Sequence, residues 1–171
     1  MDLEKLNKYN GKDEFVADVK KRAFEMEMNS HGCAQVVVQT FLDVFEDENL
    51  PLFMAASPFA AGMSLTGNNC GALIGGLMIL GTVFGRKDVA EGMPGILEGI
   101  RPMRKLVRYF TGQYNFVDCR DITQTDLADP VKSEEYFDEG GLEKCSGIIA
   151  DVSGFVADLI YEEKIAREEE K

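Results

Sequence analysis

Residues 70–85 read CGALIGGLMILGTVFG, the longest apolar stretch of the chain. It is apolar on every side of a helix, a pattern typical of a helix buried at the centre of a domain. It is shorter than the ~20 residues that a membrane-spanning helix needs. Gly71 and Gly75 lie on one stripe, where small residues let a neighbouring helix or a ligand approach the backbone. The glycines therefore indicate either tight helix packing or a cofactor contact, and we take Gly71 and Gly75 as candidate cofactor-binding residues.

Apolar residues elsewhere in the chain recur mostly at helical spacing. A first amphipathic helix follows Asp13, and its face carries Phe15, Val16, Val19, Ala23 and Met26. A second helix follows Gly32, a last one runs from about Leu142 to Glu168, and the charged tail at 162–171 overlaps the end of that helix. Residues 50–63 are apolar and interrupted by Pro51 and Pro58, which predicts one or two short helical turns, whereas residues 118–141 contain Pro130 and end in Gly-Gly, which predicts mostly loop with short turns. We predict an all-α single domain over residues 1–171, a bundle of about six helices around the glycine-rich helix at 70–84.

Length and charge exclude several classes of function. The chain has 171 residues, of which 18 are basic and 30 acidic, so the formal net charge is −12. Such a protein repels phosphate backbones, and we expect no binding to nucleic acid. The N-terminal stretch MDLEKLNKYNGKDEF is charged and has no apolar signal-peptide core. We therefore predict a cytoplasmic protein with no membrane insertion.

The four cysteines, Cys33, Cys70, Cys119 and Cys145, are the candidate site. No two have CxxC spacing, so neither a thioredoxin-like motif nor a zinc ribbon follows from the sequence. Three of them fall at or near predicted helix starts, where the helix dipole and free N–H groups favour a thiolate. We predict all four as catalytic residues and as metal ligands. The alternative is that they are inert, buried apolar side chains.

His31 lies two residues before Cys33 and is the chain's single histidine. It could pair with a thiolate or ligate a metal, and we include it among the candidate cofactor-binding residues. The alternative is a solvated or capping residue in a turn.

The flanks of the cysteines add a resemblance to a known family. The stretches are GCAQVVV at 32–38, GNNCGALIGGLMILGTVFG at 67–85, FVDCRDI at 116–122 and EKCSGIIADV at 143–152. This order of cysteines, with a glycine-rich helix after the second, resembles the C_GCAxxG_C_C family of redox-active proteins over about residues 30–160. The resemblance implies a role in thiol-based or iron–sulfur electron transfer, with an unidentified redox partner protein and no named substrate.

The sequence allows three interpretations of the cysteines. The four thiolates could hold an iron–sulfur cluster of the 2Fe–2S type or, as a second choice, zinc. They could instead form one or two reversible disulfides, with Cys70 as the attacking thiol. They could also be inert thiols of an interaction protein. A homodimer through the glycine-rich helix is a further prediction. The iron–sulfur and the disulfide interpretation both require that sulfurs distant in sequence lie in one cavity.

Overall fold

The computed structural model describes residues 1–169 and confirms an all-α fold. Within those residues there are eight α-helices of five or more residues, so the predicted number of about six is too low. The helices are α1 Lys12–Ser30, α2 Cys33–Phe45, α3 Leu50–Ala56, α4 Gly71–Phe84, α5 Gly92–Tyr114, α6 Cys119–Thr123, α7 Pro130–Tyr136 and α8 Leu142–Glu169.

Two of the short helices have a proline in their first turn: α3 lies where the sequence predicted one or two helical turns, and α7 lies in a stretch predicted to be mostly loop. Pro51 lies in the first turn of α3, where the Asn49 side chain accepts a hydrogen bond from the Leu52 N–H at 3.1 Å. Pro130 is the first residue of α7, and the Asp129 side chain accepts from the Val131 N–H at 3.0 Å. Proline is favoured in the first turn because it lacks an N–H where none is needed and its φ is already helical. Each proline therefore starts a short helix.

The core lies between α1, α2, α4 and α8. The most extensive helix pairing is between α1 and α8, while α4 packs against α2, α5 and α8. The glycines of α4 permit this packing: a Cβ on Gly75 would come within 2.8 Å of the Ala34 carbonyl oxygen, and one on Gly76 within 2.8 Å of Leu106 Cδ2. This glycine surface is thus covered by the same chain, so it does not support the homodimer that the sequence suggested.

The charged tail predicted at 162–171 is helical up to residue 169, in agreement with a last helix predicted to end near Glu168. Helix α8 continues to Glu169, and residues 170–171 lie outside the described part of the chain. Among the described helices, none combines the length and the apolar character needed to cross a bilayer.

Candidate functional site: a four-cysteine cavity

The four cysteines line one cavity of about 390 Å³. Each comes from the start of a different helix: Cys33 is the first residue of α2, Cys70 directly precedes α4, Cys119 is the first residue of α6, and Cys145 lies in the first turn of α8. The rest of the wall is mostly apolar and includes Ala60, Ala61, Ala72, Ile122, Leu127, Phe137, Ile148 and Ile149. All four thiols are free. Sulfurs that are far apart in sequence therefore face a common space.

Cys70 and Cys119, here called the inner pair, are held by a single antiparallel bridge between Asn69 and Asp118. The Cys70 N–H donates to the Val117 carbonyl at 2.7 Å, and the Cys119 N–H donates to the Asn68 carbonyl at 2.7 Å. Each residue of the inner pair is 9% exposed. The bridge joins the residues directly before the two cysteines, so α4 and α6 begin next to each other.

Cys33 and Cys145, here called the outer pair, are only partly buried. The Cys33 sulfur lies 3.9 Å from the Phe59 carbonyl oxygen, and it packs so closely on Gly71 that a Cβ there would overlap it. The Tyr136 hydroxyl lies 3.5 Å from the Cys145 sulfur. The outer pair is thus the more accessible to a partner, and Gly71 makes room for one of its sulfurs.

A segment that contributes Ala61 to the cavity lining winds in the left-handed sense. Residues 61–65 all have positive φ, from +47° at Ala61 to +71° at Gly62, and four of the five carry a side chain. The segment is closed by backbone hydrogen bonds, in which the Gly67 N–H donates to the Ala61 carbonyl and the Asn68 N–H to the Gly62 carbonyl. It places the backbone of Ala61 where a hydrogen bond from it lowers the pKa of Cys33. A strained turn therefore helps to define the thiol environment.

Burial favours the neutral form of all four thiols, contrary to the expectation that helix starts would favour thiolates. Burial raises the pKa of Cys33 to about 11 and that of Cys119 to about 12, and it also raises the pKa of Cys70 and Cys145. Backbone hydrogen bonds from Ala72 and Leu73 at the start of α4 lower the pKa of Cys70, but burial outweighs them. The most strongly raised pKa is that of Cys70, which counts against the prediction that it is the attacking thiol.

Sequence reasoning missed Glu27, which also lines the cavity. Glu27 is 5% exposed, and its Oε2 atom has no hydrogen-bond partner. Burial raises its pKa to about 7, opposed in part by a backbone hydrogen bond from Gly32. The signal was present, because Phe15, Val19, Ala23 and Glu27 follow one another at four-residue intervals and are all buried. An acid at the end of an apolar stripe indicates a buried carboxyl, and its raised pKa in a cavity makes it a candidate functional residue.

The other predicted residues are divided between the cavity and the packing around it. His31 lines the cavity as an exposed residue, and its ring centroid lies 6.2 Å from that of Phe137. Gly71 lines the cavity as well. Gly75 is absent from the lining, and its close neighbour is the backbone of α2. The cavity therefore gives no support to the cofactor-binding role predicted for Gly75.

In the part of the chain that the structure describes, the arrangement of the possible donor atoms does not form a metal site. Among the described residues, no three His, Cys, Asp or Glu side chains are placed so that they could hold one metal ion. A structural zinc site needs four ligands in a tetrahedron around one ion. As placed, the cysteines match an iron–sulfur cluster in their number only, and they do not fit zinc.

The helical bundle and its cavity define a four-cysteine protein of all-α fold. The chain belongs to the family described as "Putative redox-active protein (C_GCAxxG_C_C)", whose model matches residues 31–159. The match contains all four cysteines and His31, while Glu27 precedes it. Comparison with curated proteins and with solved structures gave no significant match. The resemblance found from the sequence is thus confirmed.

Proposed function

We propose that the protein is a dithiol–disulfide redox protein in which the outer pair, Cys33 and Cys145, exchanges two electrons with a disulfide of a partner protein. The observation that supports this proposal is the convergence of four free thiols on one apolar cavity, two of them within reach of solvent. The family description supports the redox class. Because a reducing compartment keeps such thiols free, a cytoplasmic location is part of the proposal.

The reaction runs in two exchange steps. The Cys33 sulfur, after losing its proton, attacks one sulfur of the partner's disulfide, and the other partner sulfur leaves with the electron pair of the broken S–S bond. The Cys145 sulfur then loses its proton and attacks the Cys33 sulfur, which releases the partner's second thiolate. The outer pair ends as a disulfide, the partner as a dithiol, and two protons have been transferred.

Several contacts of the outer pair favour these steps. The Tyr136 hydroxyl, 3.5 Å from the Cys145 sulfur, lowers the pKa of that thiol by hydrogen bonding. Cys145 interacts electrostatically with Cys33, as Cys33 does with Cys70 and Cys119, and we choose Cys33 and Cys145 as the reacting pair because both are partly exposed. The inner pair is the less exposed of the two when whole residues are compared. We expect it to stay reduced while the outer pair cycles.

The experiment starts with protein purified without oxygen. It is equilibrated with mixtures of reduced and oxidised glutathione, quenched with an alkylating agent and mapped by mass spectrometry. We expect one disulfide, between Cys33 and Cys145, with Cys70 and Cys119 still alkylated. Iron and acid-labile sulfide bound to a brown protein would overturn the proposal in favour of an iron–sulfur cluster. Bound zinc, or four thiols unaltered in every mixture, would overturn it in favour of a zinc site or an inert interaction protein.

A further inference from the structure

We propose that Glu27 accepts the proton that the Cys33 thiol loses when it attacks a disulfide, so that this carboxylate acts as the general base of the cavity. The inference rests on the proposed function and adds a residue outside the family match, which begins at residue 31.

The placement of Glu27 is the first support. It lies on the buried stripe of α1 and lines the cavity together with the four cysteines. Its Oε2 atom is buried and accepts no hydrogen bond, whereas buried polar atoms in proteins are nearly always paired. An unpaired carboxylate oxygen in an apolar cavity is costly for the fold, and it is available to take a proton from a neighbouring group.

The electrostatic coupling of Glu27 is selective for the outer pair. The titratable groups that face the cavity with it are His31 at the end of α1, and one cysteine each from α2, α4, α6 and α8. The charge of Glu27 raises the pKa of Cys33 and of Cys145, and it is absent from the causes that shift the inner pair. The positively charged side chain of Lys144 on α8 lowers the pKa of Cys145, and it donates a hydrogen bond to the Ile122 carbonyl at 2.7 Å. A proton that leaves either outer thiol relieves this repulsion when it is taken up by Glu27.

The thiols need such a base. With a pKa of about 11, Cys33 has almost no thiolate near neutral pH, so unassisted attack would be slow. A carboxyl with a pKa of about 7 is ionised about half of the time under the same conditions, which suits a general base. Burial thus makes the thiol a poor nucleophile and the carboxylate a better base.

The proton passes through a water molecule. No hydrogen bond joins Glu27 Oε2 to a cysteine sulfur, but the cavity of about 390 Å³ has room for water, which occupies ~30 Å³ per molecule. The thiol proton moves through this water to Oε2 as the sulfur forms its bond to the partner's sulfur. Glu27 then releases the proton to solvent where the exposed His31 lines the cavity, and its carboxylate can accept the proton of Cys145.

The test compares Glu27→Gln with the wild type, using dithiodipyridine, a small uncharged disulfide, as the probe. The rate of thiopyridone release is followed from about pH 5 to about pH 9. We expect the wild-type rate to show an inflection near pH 7, and Glu27→Gln to lose it and react roughly 100-fold more slowly above it. Glu27→Asp, which keeps a carboxylate, should retain the inflection at a reduced rate.

Glu25→Gln is the matched control, because Glu25 lies on the exposed side of the same helix. It should keep the wild-type profile. An unchanged profile in Glu27→Gln, with a normal helical spectrum, would overturn the role of Glu27. Alkylation of Cys33 by iodoacetamide distinguishes a wrong role for Glu27 from a wrong proposed function. Alkylation requires the same loss of the Cys33 proton but no disulfide. A protein that forms no Cys33–Cys145 disulfide can therefore still show the Glu27-dependent inflection in its alkylation rate.

Discussion

The outer and inner cysteine pairs contain the same side chain, line the same cavity and start helices in the same way, yet their surroundings differ. Cys70 and Cys119 are 9% exposed and are held by the Asn69–Asp118 bridge. Cys33 and Cys145 are partly exposed and lie within the influence of Glu27. The comparison shows that a position at a helix start does not by itself determine thiol chemistry. Access and the neighbouring acid distinguish the two pairs.

The largest expected effect is the loss of the disulfide when one outer cysteine is replaced. Cys33→Ser removes the attacking sulfur, so no intramolecular disulfide should form in glutathione mixtures. Cys119→Ser, the matched change in the inner pair, should leave the Cys33–Cys145 disulfide at wild-type yield. Mass spectrometry after alkylation measures both. Equal loss in the two variants would remove the distinction between the pairs.

The next effect concerns stability and pH. The Glu27 pKa of about 7 lies above the 4.5 of an unperturbed glutamate, so the folded state holds this proton more tightly than the unfolded state does. The stabilising contribution is full below about pH 4.5 and is lost as the pH rises through 7. Glu27→Gln should therefore be more stable than wild type above pH 7 by up to about 3 kcal/mol, and the advantage should vanish near pH 4.

Urea denaturation of the reduced protein at several pH values measures this difference. Glu25→Gln again serves as the control, since its carboxylate is exposed. If the stability advantage of Glu27→Gln were the same at all pH values, the carboxyl would not titrate in the cavity, and its coupling to the outer pair would lose its basis.

A smaller effect is expected from Gly71→Ala. The new Cβ would overlap the Cys33 sulfur and lie 2.6 Å from the Phe59 carbonyl oxygen, so the outer sulfur must move. Overpacking of this kind costs about 1–3 kcal/mol. Gly81→Ala, in the same helix, has no heavy atom within 4 Å of its new Cβ and should stabilise the protein by about 0.5–1 kcal/mol. Thermal unfolding of both variants gives the comparison, and equal stability would show that Cys33 is not tightly packed on α4.

The smallest effect is expected from Tyr136→Phe. Removing the hydroxyl that lies 3.5 Å from the Cys145 sulfur raises the pKa of that thiol. Closure of the outer disulfide should slow several-fold, which corresponds to about 1 kcal/mol for one hydrogen bond. Stopped-flow release of the second thiopyridone measures this step. Tyr109→Phe is the control, because its ring stacks on Phe155, away from the cavity lining. The same slowing in both variants would contradict a specific role for Tyr136.

The sequence predicted the local features of the fold well. Helical spacing gave the all-α class and the first two helices, which the structure places at Lys12–Ser30 and Cys33–Phe45. These features depend on residues within one or two turns of each other, and the pattern of the chain records them directly. Pro130 was expected in a loop and instead starts a helix, because a proline fits the first turn of a helix when a side chain such as that of Asp129 caps the N-terminus.

The sequence was sufficient to predict which cysteines form the site, but not their contacts or their pKa values. The four cysteines were identified, but the Asn69–Asp118 bridge joins positions 49 residues apart, which no local pattern encodes. The rise in thiol pKa comes from burial, which depends on the packing of several helices together. Glu27 lies four residues after Ala23, at the position that continues the buried stripe of α1. Here the pattern was sufficient, since a charged residue in an apolar stripe is itself a signal.

Residues 61–65 turn in the sense opposite to the surrounding helices. L-amino acids favour right-handed winding by roughly 1–2 kcal/mol per residue, so this segment keeps its shape only while the packed domain holds it. An isolated peptide with the same sequence would relax toward ordinary backbone angles, and the Ala61 amide would no longer reach the sulfur of Cys33. The thiol environment is therefore a property of the assembled bundle, and it exists only after the chain has folded.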